Sequence, residues 1–178
     1  RVLGCIQDNQ LLYEYGKEVA RQCKEIGVQI NFAPVADVDI NPRNPVINTR
    51  SFGGDPKNVA QKVVAYSRGL EDGGVLSVAK HFPGHGDTEV DSHKALPVLN
   101  FDRARLDSIE LYPFKEVIHA GLGGIMAGHL EVPELGKNPA SLSAHVIDNL
   151  LCRELGFRGL VFTDAVSYTH LRAHETKA

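Results

Sequence analysis

Four short apolar runs alternate with amphipathic segments along this chain, and each apolar run ends in polar residues. That alternation constrains the fold most, because strands that alternate with helices pair in parallel through crossover helices. Asp8 predicts a helix N-cap, and Leu11, Leu12, Tyr15, Val19, Cys23 and Ile26 form a stripe that Gly27 ends. Val28 to Val35 alternates and then turns wholly apolar, as a buried strand does. A polar loop runs from Asp37 to Gly54. Asp55-Pro56 then reads as an N-cap with proline in the first turn, and Val59, Val63, Tyr66 and Leu70 form the second stripe up to Gly73-Gly74. Val75 to Ala79 is the second strand. Asp102 opens a third helix with Leu106, Ile109 and Leu111, and Pro113 kinks or restarts it before Phe114, Val117 and Ile118. Gly124 to Ala127 is the third strand, Ser143 caps a fourth helix that Gly156 ends, and Gly159 to Thr163 is the fourth strand, delivering Asp164.

The fold class is therefore α/β with a parallel sheet. The polar residues gather at the C-terminal ends of the strands. In an α/β barrel that is the catalytic face, and in an open doubly wound sheet it is the ligand crevice. The pattern leaves both architectures open. No Gly-x-Gly-x-x-Gly opens a helix after a strand, and there is no phosphate loop, which weighs against nucleotide binding. The 178 residues carry 19 basic and 22 acidic side chains, so bulk charge does not point to nucleic acid. No apolar run approaches the roughly 18 residues of a membrane helix. Cys5, Cys23 and Cys152 are odd in number and widely spaced, which suits buried apolar residues better than a disulfide framework. The chain starts at Arg1 without a Met or a signal segment, so cytoplasmic and exported locations both stay open.

The densest chemistry lies between Lys80 and Lys94, where three His, two Asp, a Glu and two Lys fall within fifteen positions. Two functional readings compete with a plain surface loop. His81, His85, Asp87, Asp91 and His93 are possible metal ligands, although their spacing fits no helix-borne His-Glu-x-x-His and no Cys/His ribbon. Alternatively, Asp91-Ser92-His93 places a carboxylate two residues from an imidazole, which a bent loop can turn into an acid/base pair. That reading needs a nucleophile. Asp164, at the end of an apolar strand, is a candidate for it and equally a candidate cap for a following helix.

Lys80-His81-Phe82-Pro83-Gly84-His85-Gly86-Asp87-Thr88 with Asp91-Ser92-His93 resembles the β-N-acetylhexosaminidase branch of glycoside hydrolase family 3. Asn31 to Val38, Arg50 to Gly53, Gly124 to His129 and Gly159 to Asp164 are similar to the same branch, in the same order. The resemblance runs from about Gln7 to Ala165. It implies a partial (β/α)8 TIM barrel, truncated at both ends, and a retaining exo-β-N-acetylhexosaminidase that works through a covalent glycosyl-enzyme. On this resemblance Asp164 is the nucleophile, His93 the acid/base and Asp91 its partner. Lys80, His81 and Arg50 are sugar-binding residues, and Asp37 and His129 line the same pocket or serve the structure. His85 and Asp87 fix the loop. The implied partner is a carbohydrate with terminal β-linked N-acetylglucosamine, from cell-wall muropeptides or chitin-type oligosaccharides. No metal and no cofactor are expected. Other family 3 glycosidases, such as a β-glucosidase, and an N-acetylglucosaminide phosphorylase are the alternatives within the fold. A metal-dependent hydrolase and a sugar-binding module without catalysis are the alternatives outside it.

The family pattern ends abruptly after Ala165. Val166 to Thr176 resembles a reading-frame translation of a transposase-type sequencing adapter, so residues 1–165 are expected to hold the partial barrel domain and 166–178 a non-native tail. The His170/His174 spacing is set aside for the same reason. A barrel missing strands would leave open edges, from which an inactive fragment is expected.

Overall fold

The computed structural model describes residues 1–89 and 96–164. Helix α1 (Asn9–Glu25) starts at Asp8, whose carboxylate accepts from the backbone N–H of Gln10 at 2.8 Å. Helix α2 (Pro56–Asp72) starts at Asp55, which accepts from Asn58 N, with Pro56 in the first turn. Both caps satisfy N–H groups that a helix start leaves without partners. The third helical run is composite. A single turn, α3 (Arg103–Arg105), is capped by Asp102 and passes into a π-helical stretch (Leu106–Glu110) and then α4 (Tyr112–His119). Pro113 lies in the first turn of α4, where its missing N–H is harmless, so it restarts the helix. The fourth helical run (His145–Glu154) is π-helical, and Val146 N donates to Ser143 Oγ at its start.

Strands β1 (Ile30–Asn31), β2 (Leu76–Phe82), β3 (Gly124–Ala127) and β4 (Leu160–Thr163) form one parallel sheet in the order β1-β2-β3-β4. The order follows the chain without reversal, so there is no switch point of the doubly wound kind. The sheet is also curled. The rings of Phe32, one residue past β1, and Phe162 in β4 meet edge-on at 5.2 Å. Three strand spacings of about 4.8 Å would hold them roughly 14 Å apart in a flat sheet. The sheet is thus an arc of a barrel wall, with helices on its outer side.

β1 is much shorter than the apolar run suggests. Pro34 has no N–H to give the ladder, yet the parallel pairing continues through Val78 N to Ala33 O at 3.0 Å and Lys80 N to Pro34 O at 3.1 Å. β1 is not buried either. Ile30 is 40% exposed and Phe32 49%, because β1 is the end of the sheet among the described residues. The core between sheet and helices holds Leu12, Val63, Leu70, Phe82, Phe114 and Ile125, with Phe82 and Phe114 packed edge to face at 5.3 Å. Helices α1 and α2 cross closely at Gly16 and Gly69.

Candidate active site

Each strand ends in a residue of the site. β1 leads through Val35 to Asp37, β2 ends with Lys80-His81-Phe82, β3 is followed by Gly128-His129, and β4 by Asp164. This placement follows from the parallel ladder. Lys80 pairs with Met126, and Ala127 pairs with Thr163, so neighbouring strands present their polar ends at one level. Asp164 N donates to Ala127 O at 2.9 Å, which fixes the backbone just past β4.

Asp37 is fully buried, and its carboxylate is the centre of the arrangement. It accepts from His85 N at 2.7 Å and from His81 N at 3.1 Å, and it lies 2.7 Å from His81 Nδ1. The other ring nitrogen, His81 Nε2, faces Asp164 Oδ2 at 3.9 Å. Lys80 is half-buried beside them. Burial pushes its ammonium below the ordinary lysine range, Arg50 adds to this, and the carboxylates of Asp164 and Asp37 oppose it. Arg50 ends a 3₁₀ turn (Asn48–Arg50), with its guanidinium donating to Val46 O at 3.2 Å. The structure therefore brings Asp37, Lys80, His81, Arg50 and Asp164 into one neighbourhood. His129, at the end of β3, hydrogen-bonds to Ser141 Oγ through Nδ1 at 2.8 Å. His93 and Asp91 lie outside the described residues, as does any helix that Asp164 would cap.

The loop after β2 is held from several sides. His85 is 1% exposed, with Nδ1 2.7 Å from Thr88 Oγ1, and burial pushes its imidazole below the usual histidine range. Asp87 pairs with Arg105 at 2.9 Å, and Arg105 also reaches Glu110 at 3.1 Å and lies over the Phe101 ring. No motif in the sequence marks Asn44. Its Nδ2 donates to His85 O at 2.8 Å and Gly86 O at 3.0 Å, while its Oδ1 accepts from Val46 N and Ile47 N. Ser51 Oγ donates to Asp37 O at 2.7 Å. The Asn-Pro-Arg-Asn-Pro run around Asn44 signals a turn, but its long-range partners give no local signal. Among the described residues no group of three or more His, Cys, Asp or Glu is arranged to hold a metal ion.

The family described as "Glycosyl hydrolase family 3 N terminal domain" matches residues 1–178. The chain belongs to glycosyl hydrolase family 3. Among its relatives in that family, beta-hexosaminidase A of Pseudoalteromonas piscicida is 41% identical in a 161-residue alignment that covers 83% of this chain and 27% of the relative. A solved family 3 β-N-acetylglucosaminidase from Paenibacillus sp. str. FPU-7 superposes with a TM-score of 0.90 at 44% identity, covering 92% of this chain and 32% of that one. Native NagZ from Neisseria gonorrhoeae superposes with a TM-score of 0.89 at 33% identity, covering 97% and 53%. The chain thus spans between about a quarter and half of these proteins. The curled parallel sheet is part of the family 3 TIM barrel, and its polar face is the catalytic face of such barrels.

Proposed function

We propose that this chain is part of a retaining exo-β-N-acetylhexosaminidase that removes terminal β-linked N-acetylglucosamine from cell-wall or chitin-type oligosaccharides. The observation that carries the reading is the convergence of Asp164, His81 and Lys80 on the barrel's catalytic face in a family 3 chain. Residues 1–165 form the barrel part, and 166–178 are a non-native tail.

The reaction has two steps. In the first, Asp164 attacks the anomeric carbon while His93, as imidazolium, gives its proton to the departing glycosidic oxygen. The glycosidic bond breaks and a glycosyl ester forms on Asp164. In the second, neutral His93 takes a proton from water, the water oxygen bonds to the anomeric carbon, and Asp164 leaves as carboxylate. Asp91 orients His93 and stabilises its charged form. Lys80 and Arg50 supply donors to the sugar hydroxyls and the N-acetyl carbonyl, and His81 offers its free ring nitrogen to a hydroxyl, with His129 lining the pocket.

The full-length parent should hydrolyse p-nitrophenyl N-acetyl-β-glucosaminide in preference to the β-glucoside, without dependence on phosphate. Asp164→Ala should lower turnover by about 10⁴-fold or more while ligand binding largely persists. A preference for the glucoside, sugar phosphate as the product, or full turnover in Asp164→Ala would each overturn the proposal.

A further inference from the structure

We propose that Asp37 is a positioning residue that fixes the Nδ1–H tautomer of His81 and so presents the ring's Nε2 edge to Asp164. The inference rests on the reading of Asp164 as the nucleophile.

Asp37 is fully buried and serves as acceptor to three groups. Two are backbone N–H groups, of His81 and His85, which can only donate. The third is His81 Nδ1, 2.7 Å from Asp37 Oδ2. An ionised carboxylate has no proton to offer, so Nδ1 must carry the hydrogen. The ring has little freedom to turn over. It is 4% exposed at the residue level and edge-on to the His85 ring at 5.9 Å. Gly128 closes the side near its Cβ, where a side chain on that glycine would come within 3.1 Å. The remaining polar atom, Nε2, borders the same space as Asp164 Oδ2. At 3.9 Å the two are too far apart for a direct hydrogen bond. A sugar hydroxyl within hydrogen-bonding distance of both atoms would meet a defined ring edge and the nucleophile together.

Asp37→Asn provides the test. The two backbone donors must still be accepted, so the amide oxygen stays on their side and the amide NH₂ turns to Nδ1. His81 then has to accept there and carry its proton on Nε2. Long-range ¹H–¹⁵N correlation spectra of the histidine rings in this 178-residue chain read the tautomer directly, with His81→Gln assigning the signals. The expected result is a protonated Nδ1 in the wild type, unchanged in Asp164→Asn, and reversal of the two nitrogens in Asp37→Asn. A wild-type His81 protonated only on Nε2 overturns the proposal, even if Asp37→Asn does not fold. An unchanged tautomer in a folded Asp37→Asn overturns it as well.

In the full-length parent, Asp37→Asn should lower kcat by about 10–100-fold, the worth of one hydrogen bond lost in the transition state. A loss confined to KM would count against the alignment of His81 with Asp164. If the parent proves not to be a glycosidase, the spectra still decide the tautomer, so the two failures are separable.

Discussion

Asn44 shows how much one unremarkable residue can hold. It is buried, donates to two carbonyls of the loop after β2 and accepts two N–H groups of its own loop. Asn44→Ala leaves those groups without partners and should cost about 2–3 kcal/mol in a denaturant titration. A loss below about 0.5 kcal/mol would mean that water replaces the amide. Glu110 gives a prediction with a sign in pH. Burial raises its carboxyl above the ordinary glutamate range, and Arg105 opposes this only in part. The folded chain therefore binds this proton more tightly than the unfolded chain. Its contribution to stability is full below the unfolded value and is lost as pH rises through the folded one. Glu110→Gln mimics the protonated form, so it should stabilise the chain more at pH 8 than at pH 5. Equal shifts in melting temperature at both pH values would refute this. The bonds from Asn44 to His85 and Gly86 are not legible in sequence, because they join residues 41 and 42 positions apart.

The helices were the most readable elements. Asp8, Asp55 and Asp102 cap where the sequence places them, because a cap is a local contact between a carboxylate and an N–H two or three residues on. The π-helical stretches were not readable, since the 3.6-residue stripe carries no mark of a wider turn. β1 is shorter and more exposed than its apolar run predicts, because such a run records what a strand prefers to touch and not whether a neighbour is there. The α1–α2 crossing is a further tertiary fact. A Cβ on Gly69 would sit inside contact distance of the Tyr13 carbonyl oxygen, and one on Gly16 inside that of Tyr66. Gly69→Ala gains helix propensity but must push the helices apart, so we expect a net loss of about 1–3 kcal/mol. A thermal melt showing higher stability would mean that the helices separate freely.

The molecule as a whole is an arc of a barrel wall. Among the described residues, β1 and β4 are its ends, and Ile30, Phe32 and Leu160 stand 40%, 49% and 56% exposed there. Unpaired strand edges with apolar side chains promote association. The isolated chain should therefore self-associate with rising concentration, and Ile30→Lys should reduce this. A sedimentation profile that is monomeric and independent of concentration would contradict the expectation. The sequence by itself determined the alternation of strands and helices, the capped helix starts, the polar strand ends and the family likeness, because these rest on local periodicity and contiguous motifs. Only the tertiary structure decided that the sheet curls, since curvature appears when Phe32 meets Phe162 across the sheet. It alone put Asp37 behind His81 and Asp164 before it, because parallel strands bring together ends that the chain keeps 44 and 83 residues from His81.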